Sequence, residues 1–419
     1  MRPLIPTILV ALALAGMAAG PVSAQLQLPR LPEVGGVVGN ATGTLEDTLA
    51  TADRMTAREA RRLLQLRDRT LSRLLRRHGD VIERDAAGDL ARRGELLAID
   101  ATPAQLSPLE RAGFAIIDRE QIEGLDFAII RLGVPAGLSL AQAQARAAQL
   151  VPELELSADN LHFEAGAPTS ETRVTPVAVS LAAAQVAPIN SAVGIIDGAP
   201  GTTVRVSTTK GFAKGAPFAS DHGSAVASLL SAAGVKDLRV ADVYGQDPAG
   251  GNALAISKAL GWLSSNGCKV ITISLVGPRN PLVERAVNSI RARGIIVVAA
   301  VGNDGPAAPP AYPASYEGVL AITGVDRKGR ALIEAGRALH LDYAAPGADV
   351  YAFDTKGKGK LWRGTSFATP LAAARVAAAL SSGKSWRAAL DAEARDLGAK
   401  GDDDVFGRGL LCGTCAKKK

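Results

Sequence analysis

Three polar residues in the second half of the chain have the types and neighbours that acyl transfer requires. Asp197 ends the apolar segment SAVGIID, His222 opens the segment DHGSAVASLL, and Ser366 lies in RGTSFATP, just ahead of an alanine-rich run. A serine hydroxyl becomes a nucleophile when an imidazole takes its proton, and that imidazole needs an acceptor on its other nitrogen. We therefore predict that these residues act as orienting carboxylate, base and nucleophile, respectively.

Ser366 taken alone has a simpler interpretation as a helix N-cap, because serine is common at that position. The segment SFATPLAAARVAAAL is predicted to be a helix with Pro370 in its first turn, where the missing N–H costs little. A helix N-terminus also offers backbone N–H groups to an oxyanion that forms beside the hydroxyl. The other histidines, His78, His162 and His340, have neighbours that suggest no chemistry, which leaves His222 as the base.

The elements that position these residues can be read from the pattern of apolar segments. From about residue 191, short apolar segments alternate with helical ones, which predicts a parallel sheet covered by helices on both faces. Functional groups of such sheets gather at the carboxyl ends of the strands, where Asp197 is placed. Residues 95–159 are predicted to form a βαββαβ unit with Thr102 as its first helix cap, which by itself indicates no function.

Several motifs in residues 191–411 resemble, in order and spacing, those of the subtilisin-like serine peptidases, the subtilases. VGIIDG, DHGSAVAS, VITISLVG, VVAAVGNDG and GTSFATP are similar to the family's aspartate, histidine, substrate-binding, oxyanion and serine segments. The resemblance implies a subtilisin-like α/β fold and a serine endopeptidase that acts through an acyl-enzyme, with Asn303 as donor to the oxyanion. It also implies a substrate site that contains Ser274, Leu275, Val276, Gly277, Ala299, Ala300, Val301, Gly302 and Ala311.

The same resemblance implies that the βαββαβ unit is a propeptide that assists folding and then inhibits the enzyme. We divide the chain into a signal peptide (1–24), a spacer and basic helical pro-region (25–92), the propeptide (93–163) and the catalytic domain (164–419). Residues 160–163 are expected to pair with 274–277 as an added strand. Phe163 would then fill the primary pocket, which implies a preference for large apolar residues and self-cleavage after Phe163. The segment EAGAPTSETRVTP is the competing cleavage site.

Some neighbours of the catalytic residues depart from the family pattern, among them Gly198 after the aspartate and Phe367 after the serine. None of these departures removes a catalytic atom. The family's calcium loop is not recognisable after the histidine helix, and neither a metal nor a cofactor is predicted. The alternative function is a catalytically silent protein of the same fold that binds or scaffolds a partner.

Composition and charge limit the classes of partner that the chain is expected to bind. The 419 residues are 47% hydrophobic, enough for a large core and more than one domain. Nine arginines between Arg54 and Arg77 dominate the net charge of +6, and aromatic residues are only 4%, so nucleic-acid binding has little support. The arginine-rich stretch is predicted to be an amphipathic helix, either packed on a neighbouring domain or bound to a membrane surface or nucleic acid. The expected partners are peptide substrates and the chain's own propeptide, and the enzyme is expected to be a monomer.

The N-terminus and the cysteines indicate an exported protein. Arg2, an apolar core and a small-residue cleavage site predict export to a periplasm or the medium, with no stable membrane anchor. Cys412 and Cys415 form the segment CGTC, for which a disulfide is favoured over a redox pair or half of a metal site. The state of Cys268 is left open.

Overall fold

The computed structural model describes residues 57–165, 167–168 and 187–413. The two main sheets in these residues are an antiparallel sheet and a larger parallel sheet. The predicted signal peptide, Cys415 and most of the segment EAGAPTSETRVTP lie outside the described residues. Among the described helices, none is both long enough and apolar enough to cross a membrane. Cys268 is a free, buried thiol whose pKa is raised by burial to about 12, whereas Cys412 is disulfide-bonded.

The smaller sheet is antiparallel and precedes the larger one in the chain. Its elements and the helix ahead of them are α1 (Ala57–Arg77), β1 (Ile82–Arg84), β2 (Leu90–Ile99), α2 (Pro103–Arg111), β3 (Ala115–Gln121), β4 (Ala128–Gly133), α3 (Leu140–Leu150) and β5 (Leu156–Asn160). The strand order is β1–β2–β4–β3, and β5 also pairs with β2. The predicted βαββαβ order is confirmed, and Thr102 caps α2 in a capping box with Gln105. Strand β1 was not predicted, and β2 begins at Leu90 rather than at residue 95.

The elements that follow this unit form the larger sheet, the helices that cover it and two small sheets of two and three strands. They are β6 (Phe163–Glu164), β7 (Ala167–Pro168), β8 (Val193–Asp197), β9 (Thr208–Gly211), α4 (Asp221–Ala232), β10 (Leu238–Asp242), α5 (Ala253–Ser265), β11 (Val270–Ile273), β12 (Leu275–Val276), α6 (Pro281–Ala292), β13 (Ile296–Ala300), β14 (Leu320–Val325), β15 (Tyr343–Pro346), β16 (Val350–Phe353), β17 (Gly359–Arg363), α7 (Thr365–Ser381) and α8 (Trp386–Glu393). Seven parallel strands form the order β15–β14–β13–β11–β8–β10–β9. Helices α4 and α7 cover one face and α5 and α6 the other, so the predicted fold class is confirmed.

The antiparallel sheet packs directly against the larger unit. Along β2, Leu96 and Ala98 face α2 and α3, whereas Leu97 and Ile99 join the core formed with α5 and α6. This alternation is the two-residue period of a strand whose two faces are both covered. The backbone at Glu123 lies so close to Gly261 of α5 that a Cβ atom at Gly261 would overlap the carbonyl oxygen of Glu123.

Candidate active site

Asp197 and His222 are brought together by a strand end and a helix start. Asp197 is the last residue of β8, and His222 lies in the first turn of α4, whose N-cap Ser220 accepts a hydrogen bond from Gly223 N–H at 2.8 Å. His222 Nδ1 lies 2.9 Å from Asp197 Oδ2 and 3.0 Å from Oδ1. Gly198 N–H donates to Asp197 Oδ1 at 2.8 Å, which helps to fix the carboxylate. The acceptor predicted for the imidazole is therefore in place.

The charge state of His222 reflects a competition between burial and carboxylates. Burial opposes protonation, but the carboxylates of Asp197 and Glu164 together outweigh it and raise the pKa of His222 to about 9. His222 Nε2 is buried and has no hydrogen-bond partner among the residues that the structure describes. This nitrogen is the one that a neighbouring serine would have to reach.

Ser366 lies in the first turn of α7, but its side chain does not cap the helix. Its Oγ donates to the carbonyl oxygen of Ser274 at 3.1 Å, and Ser274 Oγ donates to the carbonyl oxygen of Ser366 at 3.0 Å. Pro370 is the sixth residue of α7, not a first-turn residue as predicted. Because Pro370 has no N–H to offer to the carbonyl four residues earlier, the Ser366 carbonyl is left for Ser274.

A carbonyl group from upstream in the chain lies among the donors around Ser366. The carbonyl oxygen of Ala165 accepts from Ser366 N–H at 3.2 Å and from Asn303 Nδ2. Asn303 Oδ1 accepts from Thr365 N–H at 3.0 Å, which orients the amide group toward Ala165. Ala165 N–H donates to the carbonyl oxygen of Ser274 at 3.0 Å. The backbone of Ala165 is thus held on both sides of its α-carbon.

The residues on either side of Ala165 continue as two short strands. Strand β6 pairs antiparallel with β12, with Glu164 opposite Leu275 and Phe163 opposite Val276, and β7 pairs antiparallel with β17. The added strand was predicted, but its predicted register is wrong by two residues, because Ala165 and not Phe163 reaches Ser274. The cause lies upstream: the contacts of Leu161 with Asn252 and of His162 with Gly251 hold the chain before it reaches the site.

Comparison with known proteins identifies this arrangement. Residues 197–409 match the model of the subtilase family of peptidases. The chain belongs to the subtilase family. Subtilisin DY from Bacillus licheniformis is 32% identical over 251 residues, which cover 53% of this chain and 89% of that protein. An alkaline protease from Shouchella clausii is 31% identical over 219 residues, which cover 48% of this chain and 56% of that protein. The chain is therefore a serine-type endopeptidase.

Solved structures support the fold of this subtilase. Fervidolysin from Fervidobacterium pennivorans is similar with a TM-score of 0.64 at 15% identity, over 78% of this chain and 61% of that one. The epidermin leader peptide processing serine protease from Staphylococcus aureus has a TM-score of 0.57 at 16% identity, over 78% of this chain and 99% of that one. At these identities the likeness concerns the fold alone.

His162 is a feature of the subtilase that its sequence did not reveal. The side chain is fully buried against the Cα of Gly277, where a Cβ atom would overlap the imidazole ring. Neither ring nitrogen has a hydrogen-bond partner among the described residues, and burial lowers the pKa of His162 to about 4. His162 N–H donates to Gly251 O at 2.8 Å, and its carbonyl oxygen accepts from Tyr244 Oη at 3.0 Å. The neutral ring thus fills a closed pocket three residues before Ala165.

A cavity of about 790 Å³ lies next to Ala165 and contains part of the predicted substrate site. The predicted residues that line it are Val276, Gly277, Val301, Gly302 and Ala311. Ser274 and Leu275 contact residues 164–165 through their backbones, whereas Ala299 and Ala300 are fully buried within β13. Asn303 and Ala165 also line the cavity, together with several residues of α1.

Proposed function

We propose that this subtilase is made as an exported precursor whose residues up to Ala165 block the active site until Ser366 cleaves the Ala165–Gly166 bond. The observation that carries the proposal is the Ala165 carbonyl oxygen, which accepts hydrogen bonds from Ser366 N–H and from Asn303 Nδ2. These are the two donors that would stabilise an oxyanion on that carbonyl. Strands β6 and β7 support the proposal because they bind the chain on both sides of the scissile bond.

The chemistry follows from the positions of the three catalytic residues. Ser366 Oγ attacks the Ala165 carbonyl carbon while its proton passes to His222 Nε2, and Asp197 stabilises the imidazolium that results. The tetrahedral oxyanion is stabilised by Ser366 N–H and Asn303. His222 then gives its proton to the departing amine of Gly166, and water hydrolyses the acyl-enzyme in the second half of the reaction. Peptide substrates would bind along β12 and react in the same way.

The proposal changes the boundary between propeptide and enzyme that the sequence suggested. The smaller sheet and β6 would form the inhibitory unit, and the mature enzyme would begin at Gly166 rather than at Glu164. Export is supported by the N-terminal segment 1–24 and by a 28% identical relative that is named a minor extracellular protease, from Bacillus subtilis.

A preference for large apolar residues at the position of Ala165 is also part of the proposal. Ala165 is too small to fill the adjoining cavity of about 790 Å³. The walls include Val276, Val301 and Ala311, which favour an apolar side chain, and Gly302, which leaves room for it. The precursor would then have, at its own cleavage site, a residue that leaves the cavity partly empty. Once that residue has left, substrates with larger apolar side chains would bind better.

N-terminal sequencing of the purified enzyme tests the cleavage site, with the Ser366→Ala precursor as the control. We expect a wild-type fragment that begins at Gly166 and an uncut variant, because the loss of the nucleophile lowers turnover on the order of 10⁶-fold. A wild-type start at Glu164 would favour the register with Phe163 at the site. If the wild type stays uncut and Ser366 does not react with an organophosphonate, the silent scaffold replaces the enzyme as the proposal.

A further inference from the structure

Helix α1 is the longest helix that the structure describes, yet none of its side chains is fully buried. It contains eight arginines and two acidic residues. Seven of these arginines are exposed, and only Arg67 forms an ion pair with a described residue. The proposed cleavage chemistry gives this helix no role, although α1 lines the cavity beside Ala165.

The first contact of α1 is with the loop that follows Asn303. Arg67 Nε lies 3.2 Å from Asp304 Oδ2, and the side chains of both residues are only partly exposed. One turn earlier, Leu63 packs on Gly305, whose φ of +85° belongs to the left-handed region. A Cβ atom at Gly305 would lie 2.7 Å from Leu63 Cδ1, so the absence of a side chain there makes room for the leucine. The loop and the helix therefore fit each other in shape and charge.

The second contact of α1 is with residues 161–165, which we call the groove segment. Leu71, Leu74 and Leu75 pack, as Phe163 does, on a buried cluster that includes Leu161. These leucines are partly buried, and they lie on the same side of α1 as Leu63 and Arg67 because residues three or four apart share one helix face. A single face of the helix therefore contacts both the groove segment and the loop at Asp304.

We infer that the loop at Asp304 and Gly305 is a docking surface for an arginine- and leucine-rich helix, and that α1 docks there as a strap over the groove segment. This inference rests on the proposed self-cleavage. Once the Ala165–Gly166 bond is cut, the groove segment can leave only when its contacts with β12 break, and α1 adds a further set of contacts to be broken. One partly exposed ion pair and a row of half-buried leucines give a reversible attachment.

Charge complementarity and position together favour α1 as the occupant of this surface. Asp304 is the residue directly after Asn303, so a cation paired with it lies at the edge of the substrate cavity. While α1 is docked, Arg67 occupies that edge, and Leu71 and Leu74 line the cavity together with Phe163. Removal of α1 would expose the carboxylate of Asp304 and one side of the groove at the same time.

Hydrogen exchange of the uncleaved Ser366→Ala precursor tests the docking without any need for activity. In that background Arg67→Glu places two negative charges together, so we expect the α1 amides to exchange about three- to tenfold faster than in the parent. Arg69→Glu is the matched control, because Arg69 makes the same charge change on the same helix but is exposed and does not line the cavity. Equal exchange rates in the Arg67→Glu and Arg69→Glu proteins would overturn the inference.

The consequence for inhibition is measured in the active precursor as two times: when the chain is cut, and when hydrolysis of a small peptide begins. We expect Arg67→Glu to leave the first time unchanged and to shorten the interval between the two about three- to tenfold, with no change in Arg69→Glu. An unchanged interval after normal cleavage contradicts the strap alone. Failure of every protein to cut at Ala165–Gly166 contradicts the proposed function, while hydrogen exchange still reports on the docking.

Discussion

His222 lies between two carboxylates, Asp197 and Glu164, of which only Asp197 would belong to the enzyme that remains after the proposed cleavage. Glu164 of β6 brings a carboxylate oxygen within 4.8 Å of ligand atoms of both His222 and Asp197. The Glu164 side chain as a whole is exposed, yet its carboxyl group lies among protein atoms, and this desolvation, with Asp197, Asp221 and Asp242 nearby, raises its pKa to about 7. Glu164 therefore acts on the base directly, as a charge that would leave with the proposed propeptide.

This charge predicts the pH dependence of self-cleavage. The attack needs neutral His222, and the pKa of about 9 means that the neutral fraction increases as the pH rises from about 7 to about 9. Glu164→Gln removes one of the two charges that favour the imidazolium, so the pKa of His222 falls. We expect the midpoint of the profile to move to lower pH, and cleavage at neutral pH to become about tenfold faster for every pH unit by which the midpoint falls.

Single-turnover rates of the first cleavage, measured at a series of pH values, check this prediction. Glu123→Gln is the matched control, because it makes the same change in the turn after β3, where Glu123 pairs with Lys210. Equal midpoints in the Glu164→Gln and Glu123→Gln proteins would show that Glu164 does not influence the base.

The individual residues also show what the sequence can and cannot predict. Asp197, His222 and Ser366 were found because their chemistry depends on residue type and on the elements that carry them. Ala165 and His162 were missed because their roles depend on register, that is, on how many residues separate the end of β5 from the residue that pairs with Ser274. The predicted pairing of residues 160–163 with 274–277 placed Phe163 at the site, two residues ahead of Ala165.

At the scale of elements, one residue joins helix α6 to the smaller sheet. Asn280 Oδ1 caps α6 by accepting from Leu282 N–H at 3.0 Å, and its Nδ2 donates to Ala158 O and to Asn160 Oδ1, both at 2.9 Å. The side chain is fully buried. The same amide group therefore stabilises α6 through its oxygen and the contact with the smaller sheet, the proposed propeptide, through its nitrogen.

Two substitutions of Asn280 separate these roles. Asn280→Asp keeps the capping oxygen and removes the donor, so we expect weaker binding of the propeptide, by about 1–3 kcal/mol, with little loss of stability in the mature enzyme. Asn280→Ala removes both and should destabilise the mature enzyme as well, by about 1 kcal/mol. Inhibition by the added propeptide and thermal unfolding of the mature enzyme measure the two effects. Equal inhibition of the Asn280→Asp and wild-type enzymes would contradict the role of Nδ2.

The elements themselves were largely predictable, since long segments with a clear period form the βαββαβ unit and the parallel sheet. Strand β1 was missed because three residues carry no period, and it forms only through its pairing with β2. The amphipathic pattern predicted α1, but its docking on Gly305 depends on a loop more than two hundred residues away. Such contacts follow from the tertiary fold and not from local preference.

At the scale of the whole molecule, the two units are complementary in charge as well as in apolar surface. Cations of the larger unit pair with acidic residues in and around the smaller sheet in the pairs Lys210–Glu123, Lys258–Glu120, Arg285–Asp100, Arg285–Glu155 and Arg293–Asp126. The side chains in these pairs are mostly exposed. Arg92 and Asp247 form a further pair at 2.6 Å, in which Asp247 is largely buried.

This distribution predicts that salt speeds the release of the cleaved propeptide. Exposed pairs contribute about 0.2–1 kcal/mol each, and the screening length falls from about 10 Å at 0.1 M salt to about 3 Å at 1 M. Because several pairs are screened together, we expect release to become about tenfold faster over this range, measured as the rise of peptidase activity after dilution of the cleaved complex. Lys258→Gln should give a shallower dependence, since one pair is already lost. A release rate that is the same at both concentrations would mean that the apolar contacts of β2 with α5 and α6 alone hold the complex, because sodium chloride does not weaken them.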